Sequence, residues 1–271
     1  MFAVLAETAI GQGVALAALM TVAWSIWRWT GNAGWIDFGW TCSVGLVGGV
    51  SAVLTIDAAP SLLLRQIAVA AFVILWSLRL AAHIGRRTLK HGDDPRYAEL
   101  IRQWGMTAPR RMLEFALAQA AAGVPLVLAA LLAAHKPELS ITWQDVLGFM
   151  ILAAGIFGAS TADGQLRNFA ANPENKGKIC DAGLWSWSRH PNYFFEWLGW
   201  LGLAVIAIDL SGAYLWGWLA VAAPLWMYWL LVYVSGIPPL EDHMLRTRGI
   251  AFRGYQRRTN AFFPQPPRRA K

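Results

Sequence analysis

The sequence is short of charge and of cysteine. Asp, Glu, Lys and Arg make up 14% of its 271 residues and hydrophobic residues 56%, whereas soluble domains carry about 25% charged residues. That balance excludes a disordered chain and argues against an ordinary water-soluble globule. Two cysteines, Cys42 in an apolar run and Cys180 in a polar stretch, exclude a disulfide scaffold and supply no metal-ligand cluster. Internal repeats and low-complexity tracts are absent, which excludes a fibrous protein. So are a strand–G-x-G-x-x-G–helix unit and a Walker-type loop: Gly45, Gly48 and Gly49 fall inside an apolar run. A nucleotide bound here would have to be held by membrane helices. The first residues, MFAVLAETAIGQG, lack a basic segment and include Glu7, so they read as the start of a membrane helix and not as a cleaved leader.

What the sequence does have is long apolar runs. A helix needs about 20 mostly apolar residues to cross a bilayer. Seven runs qualify, roughly 5–27, 34–55, 61–83, 113–134, 143–165, 192–209 and 213–235. The net charge of +7 could suggest nucleic acid, but the basic residues lie in the gaps between apolar runs and form no patch. With the N-terminus outside, all of the 23 Lys and Arg except Arg65 and Lys136 fall on the inner side, as the positive-inside rule requires. The expected fold is therefore all-α: a polytopic membrane protein with seven transmembrane helices, N-terminus out and C-terminus cytoplasmic. The long polar segments 84–112, 166–191 and 236–271 all fall inside, where there is chain enough to build a site.

The most informative stretch is GLWSWSRHPNYFFEWLGWLG, residues 183–202. Pro191 suits the first turn of a helix, where its missing N–H costs nothing. Arg189 and His190 then stand at a helix N-terminus, suited to a phosphate or to lipid headgroups. Asn192 and Glu196 share one helix face, with Tyr193 alongside, and Glu196 lies roughly 8 Å below the helix start. A carboxylate at that depth needs a partner. Asp163 and Arg167, four apart in STADGQLRNF, are either a boundary ion pair or ligand-holding groups. Asp37, in GWIDFGW, is an intramembrane carboxylate whose partners could be Arg79 and His83, in a catalytic role or as a buried structural pair. The segment HGDDPRYAELIRQWG (91–105) either covers a site or is a solvated surface helix. In the tail, Glu241, Arg246, Tyr255 and Arg258 could close over an anion, or the tail could lie on anionic lipid.

Together, DGQLRNF, GLWSWSRHPNYFFEWLGWLG, SGIPPLE and YQRRTNAFFP resemble the bacterial branch of the steroid 5-alpha-reductase (3-oxo-5-alpha-steroid 4-dehydrogenase) superfamily, over about residues 76–267. RHPNY alone is shared with isoprenylcysteine carboxyl methyltransferases, to which the chain is more distantly similar. The resemblance implies an NADPH-dependent enzyme reducing the C4–C5 double bond of a 3-oxo-4-ene steroid or similar lipid enone. It assigns Asp163, Arg167, Asn192 and Glu196 to the cofactor, with Arg189, His190 and Tyr193 in the same motif. It also implies a carboxylate on helix two and a tyrosine on helix three at the ketone. Asp37 is similar to the first in location; helix three, read as 61–83, holds no tyrosine, and His83 is the nearest candidate.

These readings give a single integral membrane domain over 1–271, with 1–110 serving the substrate and 111–271 the cofactor. They give a multi-pass monomer of the bacterial inner membrane, a steroid-like substrate entering from the bilayer, contact with membrane lipid, no nucleic acid and no metal. The competing enzyme is an S-adenosylmethionine-dependent methyltransferase of a lipid or prenyl substrate, and the non-enzymatic competitor is a lipid-binding or transporter-like protein.

Overall fold

The structure is a computed structural model describing residues 2–54, 61–91 and 95–268. Among these residues there is no strand. The chain runs α1 (Phe2–Thr30), α2 (Gly34–Val53), α3 (Leu63–His91), α4 (Pro95–Trp104), α5 (Ala108–Ala134), α6 (Trp143–Ala171), α7 (Pro191–Ala207), α8 (Ala222–Trp229) and α9 (Ile237–Arg258).

Among the described residues, six helical stretches are long and apolar enough to cross a membrane: Ala3–Thr30, Gly34–Val53, Leu63–Leu89, Tyr97–Ala134, Trp143–Ala171 and Leu215–Arg258. Seven were expected, and the difference is α7. It spans 17 residues, about 25 Å at 1.5 Å per residue, against a hydrocarbon core of about 30 Å. The last apolar run is also not one regular helix. Tight turns over Leu215–Val221 lead into α8, and a wide turn over Leu230–Val234 follows it.

The chain forms two compact units: Met1–Leu147 with Leu203–Ala223, and Gly148–Gly202 with Pro224–Lys271. In the first, α5 packs against α1, α2 and α3, and α2 against α1 and α3. Within a bilayer, helices gain no hydrophobic advantage from each other over lipid, so association rests on close van der Waals contact between small residues. Sequence supplies these: Ala116, Ala120, Gly123 and Ala130 are buried on α5, and Gly45, Gly48, Gly49 and Ala52 on α2. A Cβ at Gly45 would run into Ser77 of α3.

In the second unit, α6 and α7 lie backbone to backbone. A Cβ on Gly155 would sit 2.8 Å from the Phe195 carbonyl, and one on Gly202 would sit 2.8 Å from the Gly148 carbonyl. Low-numbered residues of α6 thus meet high-numbered residues of α7, so the pair is antiparallel. Aromatic rings close this unit. Phe194 and Trp197 of α7, Tyr228 of α8 and Phe262 of the tail pack edge to face at 5.3–6.4 Å, apart from Phe194 and Trp197, which tilt at 5.8 Å.

The first unit also holds a buried ion pair. Arg65 and Asp145 have side chains 0% exposed, with Nε to Oδ1 at 2.8 Å. The guanidinium spends its other donors on Asp145 Oδ2 and on the carbonyls of Lys136, Glu138 and Ser140, at 2.7–3.1 Å. Asp145 in turn caps α6: its Oδ2 accepts from Thr142 N at 2.8 Å, and its own N–H donates to Thr142 Oγ1 at 3.2 Å, a reciprocal cap of the T-x-x-D kind. Breaking one side of such a pair leaves an unpaired buried charge. Arg65→Met is expected to cost about 3–5 kcal/mol, seen as a lower melting temperature in detergent, and Arg65→Met/Asp145→Leu should recover much of that loss.

Candidate functional site

Two clusters of polar side chains stand out, one in each unit. In the second unit, Pro191 is the first residue of α7. The preceding loop is tied to α6 and to the tail. Trp185 Nε1 donates to Ala162 O at 3.0 Å, and Leu184 N to Gln165 Oε1 at 2.9 Å. Arg189 N donates to Asn260 O at 2.8 Å, and Ser188 Oγ to Phe262 O at 2.9 Å. The antiparallel α6–α7 register then brings Asp163 opposite Asn192, whose Nδ2 donates to Asp163 Oδ1 at 3.2 Å. Glu196 lies one turn further along α7 on the same face. Asp163 is 5% exposed and Glu196 9%, so both carboxylates sit inside protein and not among acyl chains. Arg167, at the open end of α6, is exposed.

Beside this set is a knot around Glu241. Its Oε1 accepts from Arg189 Nε at 2.7 Å and from His190 Nε2 at 3.0 Å; its Oε2 accepts from Arg189 Nη2 at 3.1 Å and Gln256 Nε2 at 2.8 Å. A carboxylate has about four acceptor sites, so these donors saturate it. Arg189 Nη1 donates to Thr259 O at 2.6 Å and Gln256 O at 3.3 Å, carbonyls at the C-terminal end of α9, where a cation also complements the helix dipole. Because the carboxylate can only accept, His190 Nε2 carries the proton of this bond. Its ring stacks on Tyr193, with centroids 5.4 Å apart and planes 10° apart. Burial holds the His190 imidazole below its ordinary value of 6.5, outweighing the upward pull of Glu241.

The remaining residues singled out in the tail do not bond Glu241. Tyr255 is buried and donates its hydroxyl to Trp185 O. Arg246 pairs with Asp242, and Arg258 with Asp181 at 3.2 Å; all four side chains are exposed. The structure therefore brings together Asp163 with Asn192, and Arg189 and His190 with Glu241. It directs the side-chain donors of Arg189 to Glu241 and main-chain carbonyls, where the sequence reading gave them to a phosphate. Arg167, Arg246 and Arg258 are the exposed cations of the set.

In the first unit the centre is Asp37, near the start of α2. Tyr97 Oη donates to its Oδ1 at 2.6 Å, and Gln119 Nε2 approaches the same oxygen at 3.4 Å. Arg87 Nη2 stands 4.0 Å from Oδ2, and the Asp37 side chain is 20% exposed. His83 is half-buried one turn before Arg87 on α3. Tyr97 and Gln119 were missed from sequence. The signal for Tyr97 was there: Pro95 in HGDDPRYAELIRQWG opens a helix, which puts Tyr97 in its first turn on the face buried in the protein (6% exposed). Gln119 gave no signal beyond a lone amide in the Ala-rich run of α5.

Comparisons with known proteins place the chain. The model of a family described as "Protein of unknown function (DUF1295)" matches residues 23–259, and the chain belongs to that family. Two curated proteins are similar over parts of their length. One is the nickel-cobalt-cadmium resistance protein NccN of Alcaligenes xylosoxydans xylosoxydans, 29% identical over 145 residues, 52% of this chain and 61% of the relative. The other is the probable O-methyltransferase ustE of Ustilaginoidea virens, 34% identical over 83 residues, 28% of this chain and 29% of the relative. The chain thus spans less than two thirds of either. No solved structure matches. Among the described residues no three His, Cys, Asp or Glu side chains come together as metal ligands would.

The knot gives a pH prediction. His190 has a native pKa below its unfolded value. The neutral ring therefore stabilises the fold above about pH 6.5, and that stability is lost as pH falls and the unfolded chain takes up the proton. The melting temperature should fall as pH drops from 7 to 5, with a shallower fall in His190→Gln, measured side by side in detergent.

Proposed function

For this DUF1295 member we propose a multi-pass membrane reductase that uses NADPH to reduce the C4–C5 double bond of a 3-oxo-4-ene steroid or a similar lipid enone. The observation that carries the reading is the Tyr97–Asp37 bond of 2.6 Å. The resemblance requires a tyrosine and a carboxylate at the substrate ketone, and α4 supplies the tyrosine that helix three lacks. In this reading α7 is a seventh, short crossing, the N-terminus is outside and the C-terminus cytoplasmic. The protein is a monomer of a bacterial inner membrane, and the substrate enters from the bilayer.

The residues of the second unit suit a dinucleotide. Buried Asp163 and Glu196 offer acceptors for ribose hydroxyls, and Asn192 offers both donor and acceptor to a carboxamide. Arg167 is open to a phosphate. Arg246 and Arg258 are held only by exposed ion pairs, worth about 0–1 kcal/mol, so they can turn to phosphate oxygens, including a 2′-phosphate. Arg189, His190 and Tyr193 hold the start of α7 in place, and Glu241 and Tyr255 anchor α9 against that loop. When bound, the reduced nicotinamide supplies a hydride to the β-carbon of the enone. The chain's own part is to meet the negative charge that grows on the ketone oxygen, since preorganised donors aimed at developing charge are usually the largest catalytic term. Tyr97 holds a proton at Oη beside Asp37, and His83 offers a second donor.

A second reading, a methyltransferase using S-adenosylmethionine on a lipid or prenyl substrate, is favoured by the similarity to the probable O-methyltransferase and by the RHPNY core with Glu241. Calorimetric titration separates the two. NADPH should bind and S-adenosylmethionine should not; the reverse result rejects the reductase. With a 3-oxo-4-ene steroid in detergent, NADPH oxidation should proceed. Asn192→Ala should weaken NADPH binding about tenfold, whereas Tyr97→Phe should lower turnover about 100-fold with NADPH affinity retained.

A further inference from the structure

Gln119 has an incomplete set of partners. Its backbone carbonyl accepts from Trp40 Nε1 at 2.9 Å, which fixes this turn of α5 against α2. Its side-chain nitrogen approaches Asp37 Oδ1 at 3.4 Å. That oxygen already accepts the Tyr97 hydroxyl at 2.6 Å, and a carboxylate oxygen only accepts, so the amide must turn its N–H toward Asp37. The amide oxygen is thereby directed away from the pair. Gln119 Oε1 is buried, and among the described residues no donor reaches it. A buried acceptor without a donor is costly, and native structures leave few of them. The Asp37 side chain beside it is 20% exposed, so the cluster is not sealed off.

We propose that Gln119 is a specificity-determining residue whose Oε1 accepts a hydrogen bond from a hydroxyl on the ligand. The inference rests on the reading of the Asp37–Tyr97 pair as the place of the substrate oxygen. A ketone oxygen there takes a donor from the pair and gives nothing to Gln119. A hydroxyl, as on the corresponding alcohol, both accepts from Tyr97 and donates to Oε1. The site thus takes either a ketone or a hydroxyl oxygen, and grips the hydroxyl harder. Sites built to bond a hydroxyl discriminate strongly against loss of the partner, because the buried group is left unmet.

The test is a matched pair of steroids differing only at the ring-A oxygen, 3-oxo-4-ene against 3-hydroxy-4-ene, titrated calorimetrically against the full chain in detergent. Wild type binds both. In Gln119→Leu the hydroxy ligand loses about tenfold or more in affinity beyond whatever the oxo ligand loses. Comparing the two losses removes the shared effect of the missing amide on Asp37. Gln119→Glu, which keeps an acceptor at the same reach, retains the hydroxy ligand. If Gln119→Leu does not fold, Gln119→Met, of similar length and without an amide, takes its place. Equal losses for the two ligands, or no loss, overturn the role of Gln119 while leaving the site reading intact. Failure of wild type to bind either steroid overturns both.

Discussion

Carboxylates inside an apolar helical chain must find donors, and this constraint shapes the molecule. Four of these acids show how. Asp145 is met by Arg65 and by the N-terminal turn of its own helix. Glu241 is met by Arg189, His190 and Gln256. Asp163 is met by the Asn192 amide, and Asp37 by the Tyr97 phenol. The kind of donor decides what the acid can do. Arginine keeps its charge at every accessible pH, so Asp145 and Glu241 are held as acceptors and serve as anchors. A phenol carries a proton that it can release or share, and an amide carries none to give but orients well. On the proposed reading, that difference fits Asp37 to chemistry and Asp163 to recognition.

Donors and acceptors meet only if the helices are held close and in register. Glycine provides this where α6 passes α7: with backbone contacts under 3 Å to any added Cβ at Gly155 and Gly202, the two helices have one allowed approach and little freedom to slide. Asp163 and Asn192 follow from that register, since they lie further along the same seam. In the first unit, Gly45 against Ser77 plays the corresponding part and fixes α2, and with it Asp37, beside α3. Small residues are therefore not filler between polar motifs. They convert sequence spacing into spatial pairing.

How much of this was legible follows from the range of each interaction. Local signals were read well: the start of α7 at Pro191, the shared face of Asn192 and Glu196, the all-helical membrane class and its apolar runs. What a single sequence does not show is pairing at long range and exact helix boundaries. The pairing of Arg189 with Glu241 joins residues 52 apart in the chain, and no periodicity reports it. Tyr97 lies beyond the apolar run 61–83, on α4, which follows at Pro95 once α3 has run on to His91. The sixth run, 192–209, qualifies by apolar content, but its helix is only 17 residues long. Pairing across helices depends on rotation and register, which one sequence does not encode separately from the fold.

A difference between the two polar clusters bears on how a reaction could use them. The Glu241 knot is saturated on both oxygens, and its arginine also grips main-chain carbonyls at the end of α9. Drawing any one donor toward a ligand would leave a carboxylate or a guanidinium partly unmet in a buried place, at a cost of the order of 1–3 kcal/mol. Such a knot resists rearrangement and holds the start of α7 rigid, which is what a binding surface built from Asn192 and Glu196 requires. Around Asp37 stand a phenol at 2.6 Å, an amide at 3.4 Å and a guanidinium at 4.0 Å. Those longer approaches can shorten when a ligand arrives, as catalytic hydrogen bonds often do. On the proposed reading, the knot gives the cofactor site its fixed frame, and the approaches around Asp37 are the ones a bound substrate would tighten.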